Sequence, residues 1–103
     1  MHLKKKLGQH FLVDQNIINK LIKNISPNEK DSIIEIGPGD GALTKSILPY
    51  VKNICLIEKD EGLINDLDFI LKSYKSSKVI NQDVLELDFN IFERPFRVIG
   101  NLP

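Results

Sequence analysis

The sequence has almost no cysteine and no long apolar run. Cys55 is the only cysteine among 103 residues, so an internal disulfide is impossible, and this suits a reducing cytoplasm. Its neighbours Ile54 and Leu56 are apolar, which favours a buried structural thiol over a reactive one. No apolar stretch approaches the ~18 residues that a membrane span needs, and no signal-peptide pattern follows the first lysines. We therefore expect a cytoplasmic protein with no membrane partner.

The sequence also lacks net charge, but its charges are unevenly distributed. Residues 1–30 hold six lysines and two acidic residues, a balance of +4, whereas residues 31–103 hold eight basic and twelve acidic residues, a balance of −4. This pattern suggests an arm that contacts a polyanion and a body that holds a small molecule, although a solvated terminus would look the same. We accordingly divide the chain into a basic arm and helix over residues 1–30 and an α/β body over residues 31–103.

Short apolar runs alternate with helical patterns along the chain. Asp14 is typical of an N-cap, and an apolar stripe at helical spacing follows it as far as Ile25. Strands are predicted at 32–36, 53–57, 78–81 and 96–100, helices at about 42–48 and from Asp60 to Tyr74, and a helical turn around 88–92. This alternation predicts an α/β fold in which a parallel sheet carries helices on both faces. Because the last strand would leave an apolar edge uncovered, we expect the chain to be truncated after its fourth strand.

Glycines mark the turn from the first strand to the first helix of the body, in Glu35-Ile36-Gly37-Pro38-Gly39-Asp40-Gly41. A sharp turn that lets a ligand approach the backbone needs residues without a Cβ. The loop alone is weak evidence, because Gly37-x-Gly39-x-x-Ala42 also fits the dinucleotide pattern and ordinary turns contain glycine pairs.

Two acidic residues strengthen the interpretation of a nucleotide-type site. Glu58 lies 21 residues after Gly37, at the end of the second strand, where a carboxylate can accept hydrogen bonds from ribose hydroxyls. Asp83 follows the third strand, and its acceptor-only carboxylate suits the exocyclic amine of an adenine. Each acid alone could be a loop residue or a helix cap. Since the carboxyl ends of parallel strands meet at one edge, the loop and both acids should converge on one crevice.

With these residues placed, the chain resembles the KsgA/Dim1-type ribosomal RNA small-subunit adenine dimethyltransferases, from about Lys5 to Pro103. The resemblance implies a Rossmann-like methyltransferase fold that uses S-adenosylmethionine, of which residues 31–103 would be the N-terminal half. The motifs that carry it are Leu7-Gly8-Gln9-His10-Phe11-Leu12, the glycine loop, Glu58, Asp83 and Gly100-Asn101-Leu102-Pro103.

The resemblance also implies roles in cofactor binding. Gly37 and Gly39 would line the methionine side of the cofactor, while Glu58 would hold the ribose and Asp83 the adenine. His10 and Leu12 would close over the cofactor, and Asn101 would complete the site. The family often has Asn where His10 stands, so the resemblance leaves a base-pair-like role of that side chain open, while its backbone contacts would remain.

A catalytic role for Asn101, Leu102 and Pro103 has a chemical reason. The lone pair of an adenine amino group is delocalised into the ring, so this nitrogen is a poor nucleophile. The Asn101 side-chain oxygen and the Leu102 carbonyl can each accept one of its hydrogens, which aims the lone pair at a sulfonium methyl group, while Pro103 fixes the turn. No metal is required. The family's next residue is an aromatic that stacks on the base, so we expect the 103-residue chain alone to be inactive.

The expected partner is small-subunit ribosomal RNA, held in part by the lysines of the arm together with Lys20 and Lys23, and the expected state is a monomer. A large-subunit target, as in the related resistance methylases, stays open.

Two further alternatives remain: an NAD-dependent oxidoreductase, and an RNA-binding or ribosome-assembly module without catalysis. NAD binding without S-adenosylmethionine binding would identify the oxidoreductase. Glu58→Ala separates the other two, because it should not affect a pure RNA-binding module, whereas a methyltransferase should lose cofactor affinity.

Overall fold

A computed structural model describes residues 14–100 of the chain. Helices and strands alternate in the predicted order, so the fold predicted from the sequence is confirmed. The elements are α1 (Gln15–Ile25), β1 (Ser32–Ile36), α2 (Ala42–Ile47), β2 (Asn53–Glu58), α3 (Ile64–Leu71), β3 (Lys78–Asn81) and β4 (Arg97–Gly100). Short 3₁₀ helices lie at Leu48–Tyr50, Glu61–Leu63, Val84–Glu86 and Phe89–Ile91.

Helix α1 begins and ends at residues with clear capping geometry. The Asp14 carboxylate accepts a hydrogen bond from the Asn16 N–H at 2.8 Å, which satisfies one of the backbone donors exposed at a helix N-terminus. Ser26 has a φ of 50° and donates its N–H to the Ile22 carbonyl, so the chain leaves the helix in a left-handed turn. The apolar stripe of α1 contributes the buried Ile18 to the core beside the sheet.

The four strands form one parallel sheet in the order β3-β2-β1-β4. The chain therefore moves outward from β1 to β3 and then returns to the other side of β1. Such a reversal leaves a crevice at the carboxyl ends of the two strands beside it, where open α/β sheets bind ligands. At this point Ile36 of β1 lies opposite Gly100 of β4.

One face of the sheet is covered by all three α-helices. Ile33 and Leu56 belong to a cluster with Leu43 of α2 and Leu67 of α3, and Ile18 joins the same cluster from α1. These side chains are at most 4% exposed, so they form a continuous apolar core.

The segment between β3 and β4 covers the opposite face. A second cluster there contains Ile34, Cys55 and Ile57 of the sheet, packed against Val84 and the rings of Phe89, Phe92 and Phe96. The ring centroids lie 6.0 to 6.2 Å apart, a normal spacing for aromatic clusters. Among residues 14–100, the helical elements on this face are the 3₁₀ helices Val84–Glu86 and Phe89–Ile91, which agree with the helical turn predicted around 88–92, whereas the three α-helices lie on the other face.

The helices of the body are shorter than the sequence pattern predicts. Helix α3 ends at Leu71, and Tyr74 lies in the following turns, where its N–H donates to the Leu71 carbonyl at 2.8 Å. Helix α2 ends at Ile47, and the chain continues through Pro49 as a 3₁₀ helix. Within residues 14–100, no helix is long and apolar enough to cross a bilayer.

Candidate functional site

The glycine loop turns at the carboxyl end of β1 with a backbone that glycine adopts most easily. Gly37 and Gly39 have φ angles of 66° and 62°, in the left-handed region where a Cβ would be strained. The Gly37 N–H donates to the Ile57 carbonyl of β2 at 2.9 Å, and the Gly41 N–H donates to the Pro38 carbonyl at 2.9 Å. The loop is thus fixed to the sheet at its start and closed on itself at its end.

The third glycine of the loop serves the packing of the fold. Gly41 has a φ of 85°, and a Cβ built on it would lie 2.5 Å from Cδ1 of Ile70 and 3.4 Å from Cδ2 of Leu67. Both contacts come from α3. Gly41 therefore allows α3 to pack closely against the loop where α2 begins, which is a structural role.

Glu58 is a buried carboxylate at the end of β2. The residue is only 7% exposed, and both of its side-chain oxygens accept hydrogen bonds from backbone N–H groups. Oε1 accepts from Gly39 at 3.3 Å, and Oε2 accepts from Asp60 at 3.0 Å. The glycine loop and this acid are therefore in direct contact, as their predicted convergence requires. The role of Glu58 as a ligand residue stays a prediction.

Asn81 is a residue of this region that the sequence patterns did not single out. Its side-chain Nδ2 donates to the main-chain carbonyl of Glu58 at 2.9 Å, and the Gln82 N–H donates to the same carbonyl at 3.0 Å. Register makes the contact possible, because Asn81 on β3 pairs with Glu58 on β2. A polar amide at the end of an otherwise apolar strand was the available signal.

Asp83 follows β3 and caps the 3₁₀ helix Val84–Glu86. Its Oδ1 accepts a hydrogen bond from the Leu85 N–H at 2.9 Å, so the structure gives this acid the capping role that its sequence position also allowed. A cap and a ligand contact are compatible, because a carboxylate has two oxygens and several acceptor positions. The contact of Asp83 with an adenine stays a prediction.

Glu35 is the second residue of this region that the sequence patterns did not single out. It is 1% exposed, and its Oε1 accepts a hydrogen bond from the Thr44 hydroxyl of α2 at 2.6 Å. Within residues 14–100, Oε2 has no hydrogen-bond partner. Burial raises the pKa of Glu35 from 4.5 to about 7, while the hydrogen bond from Thr44 lowers it. A charged residue inside the apolar run Ser32–Ile36 was the signal for such an environment.

Cys55 is buried among apolar side chains, as predicted. Burial raises the pKa of its thiol to about 11, with a smaller opposing effect of Lys78. A thiol with so high a pKa is protonated at neutral pH and is a poor nucleophile. Among residues 14–100, no group of three or more His, Cys, Asp or Glu side chains has the arrangement of a metal site.

The comparisons with known proteins agree with this geometry. A model of the ribosomal RNA adenine dimethylase family matches residues 1–103, the whole chain. The chain belongs to this family. The ribosomal RNA small subunit methyltransferase A of Halothermothrix orenii is 42% identical over 110 residues, covering 100% of the chain and 36% of that protein. That of Prosthecochloris aestuarii is 43% identical, covering 98% of the chain and 38% of that protein.

Two solved structures extend the similarity. A dimethyladenosine transferase from Plasmodium falciparum superposes with a TM-score of 0.78 at 26% identity, covering 91% of the chain and 34% of that structure. The 23S rRNA methyltransferase ErmE has a TM-score of 0.76 at 26% identity, covering 91% of the chain and 38% of that structure. The chain thus spans well under half the length of each of these relatives.

Family membership confirms the resemblance that the motifs indicated and argues against the nicotinamide-dependent oxidoreductase. The structure brings together Gly37, Gly39 and Glu58. Five predicted site residues lie outside the described residues, so their roles stay predictions: His10, Leu12, Asn101, Leu102 and Pro103.

Proposed function

We propose that this protein transfers methyl groups from S-adenosylmethionine to the amino groups of adenines in small-subunit ribosomal RNA, dimethylating two neighbouring adenines. The 103-residue chain alone is still expected to be inactive, so the test below measures cofactor binding and not turnover. The observation that carries the proposal is the buried Glu58 carboxylate, bonded to the glycine loop at the carboxyl edge of the sheet. Membership of the adenine dimethylase family supports the choice of reaction. The small-subunit target is supported by relatives that are small subunit methyltransferases by name.

The chemistry of the described residues suits an adenosyl group. The Glu58 carboxylate is acceptor-only and suits a pair of ribose hydroxyls. Gly37 and Gly39 have no Cβ, so a ligand beside this carboxylate can approach their backbone closely. Asp83 adds a further acceptor after the neighbouring strand. When bound, S-adenosylmethionine supplies a methyl group on a positively charged sulfonium. His10 and Leu12 would close over it.

The residues proposed for catalysis are Asn101, Leu102 and Pro103. The Asn101 side-chain oxygen and the Leu102 carbonyl would accept the two hydrogens of the adenine amino group, and Pro103 would hold the turn. The strand that leads to them, β4, ends opposite Ile36, immediately before the glycine loop. This register supports a role for the residues after Gly100 beside the cofactor. We further propose that the protein is a cytoplasmic monomer whose basic arm holds RNA phosphates.

The test is the affinity for S-adenosylmethionine, measured by calorimetry. Glu58→Ala removes the acceptor for two hydroxyl groups, so we expect binding at least about tenfold weaker. Asp66→Asn is the matched control, because Asp66 is an exposed acid on α3, and it should bind as the wild type does. Absence of binding by the wild-type protein would refute the proposal. Unchanged affinity in Glu58→Ala would remove Glu58 from the site.

A further inference from the structure

Glu58 lies between two loops and contacts both. One is the glycine loop, reached through the Gly39 N–H, and the other is the turn after β2, reached through the Asp60 N–H. Gly39 is 19 residues away from Glu58 along the chain and Asp60 is 2 residues away, so a single side chain joins a distant loop to a local one. Both bonds lie within the chain itself.

The backbone of Glu58 is held as firmly as its side chain. Its carbonyl accepts from the Asn81 side chain at 2.9 Å and from the Gln82 N–H at 3.0 Å. Asn81 ends β3 and Gln82 follows it, so the residue that carries the carboxylate is anchored to the sheet. A side chain anchored in this way can position the loop that donates to it.

Each carboxylate oxygen can accept about two hydrogen bonds. The Gly39 N–H uses one acceptor position on Oε1, and the Asp60 N–H uses one on Oε2. Within residues 14–100 the Glu58 carboxylate accepts these two hydrogen bonds, so about one acceptor position remains on each oxygen. Two neighbouring hydroxyl groups of a ligand need one acceptor each, and the two oxygens of Glu58 offer that arrangement.

We propose that Glu58 fastens the glycine loop to the turn after β2 before the cofactor binds, and thereby presents one acceptor on each oxygen to a vicinal diol. The proposal rests on the proposed function for the identity of the diol, but the fastening itself does not. Glu58 is then a positioning residue for the loop as well as a ligand residue. Preorganisation of this kind lowers the cost of ordering the loop when the cofactor binds.

The experiment is amide hydrogen exchange, followed by NMR, in the cofactor-free protein. In Glu58→Ala both bonds are lost, and we expect exchange at Gly39 and Asp60 to accelerate about tenfold, the effect of losing a hydrogen bond to a charged group. In Glu58→Gln the amide keeps one acceptor oxygen, so one of the two N–H groups should stay protected. The amides of Ile33 and Leu56, buried residues on the two central strands of the sheet, report on global unfolding.

Glu61→Gln is the matched control, because Glu61 is an exposed acid beside the same turn, and exchange at Gly39 should not change. The proposal would be overturned if the amides of Gly39 and Asp60 exchanged at close to the wild-type rates in both Glu58 variants. If Glu58→Ala unfolds, Glu58→Gln alone decides. If Glu58→Ala loses S-adenosylmethionine binding but its amide exchange is unchanged, the proposed function stands and the fastening is refuted. If exchange at Gly39 and Asp60 is faster in the Glu58 variants but the wild-type protein does not bind S-adenosylmethionine, the fastening stands and the proposed function is refuted.

Discussion

At the scale of single residues, the two buried glutamates have different polar surroundings. Glu58 accepts hydrogen bonds from two backbone N–H groups, one on each oxygen. Within the described part of the chain, Glu35 has one hydrogen bond, from the Thr44 hydroxyl, and burial raises its pKa to about 7. The same residue type therefore joins two loops at one strand end and supplies an easily protonated carboxyl within the neighbouring strand.

The raised pKa of Glu35 predicts how stability depends on pH. Between pH 4.5 and about 7 the folded protein holds a proton that the unfolded chain has lost, so the free energy of unfolding should fall as pH rises through this window. The total decrease in the free energy of unfolding that comes from Glu35 is roughly 3 kcal/mol, at about 1.4 kcal/mol per pKa unit. Glu35→Gln cannot ionise and should flatten this part of the profile. Denaturant titrations at several pH values measure it.

Glu29→Gln is the control for that titration, because Glu29 is exposed in the turn before β1. It should leave the pH profile as in the wild type. A Glu35→Gln profile that falls as steeply as the wild-type profile across the same window would contradict the prediction.

At the scale of elements, the contact between α3 and the glycine loop depends on the absence of a side chain at Gly41. Gly41→Ala places a Cβ at a φ of 85° and 2.5 Å from the Ile70 Cδ1 atom. The left-handed backbone alone costs about 1–2 kcal/mol. The close contact adds to this only to the extent that the end of the Ile70 side chain cannot rotate away. We expect Gly41→Ala to lower the free energy of unfolding by about 2 kcal/mol or more, measured by chemical denaturation.

Ile70→Val tests the steric part of that loss. It removes the Cδ1 atom that the new side chain would meet, so the double variant should be more stable than the sum of the two single effects predicts. The backbone part of the cost should remain. Strict additivity of the two substitutions would show that the contact with Ile70 is not what glycine avoids.

At the scale of the whole molecule, Arg97 joins parts that are distant in sequence. Its guanidinium donates to the Asp31 carboxylate at 2.9 Å and to the Ile25 carbonyl at the end of α1 at 2.5 Å. It thereby ties β4 to the first helix and to the start of β1. The Arg97 side chain is 42% exposed, so solvent screens the ion pair.

We expect Arg97→Ala to destabilise the fold by about 1 kcal/mol. Arg97→Lys should recover little of this, because an ammonium group lacks the planar fork that reaches both acceptors. Arg94→Ala is the control, since Arg94 is exposed and its contacts, with the Asn90 side chain and the Phe96 ring, are local in sequence. Urea denaturation at low and high salt measures the effect. Equal losses in the Arg97 and Arg94 variants would contradict it.

Most of the fold and part of the site can be predicted from local sequence. Asp14, the β-branched strands and the glycine loop act through neighbours in the chain, so their pattern is visible without the structure. The predicted end of α3 is too late, because the apolar spacing continues to Tyr74 while the chain already turns toward β3. The roles of Asn81 and Glu35 could not be predicted, because both depend on which residues lie opposite them.

The sequence by itself determined the order of elements, the family and the acids at the strand ends, since these follow from periodicity and motif spacing. Only the tertiary structure decided that Glu58 contacts Gly39, that Asn81 anchors Glu58 and that Glu35 is buried beside Thr44. The physical reason is register: strand pairing and helix packing bring together residues whose separation along the chain carries no local pattern.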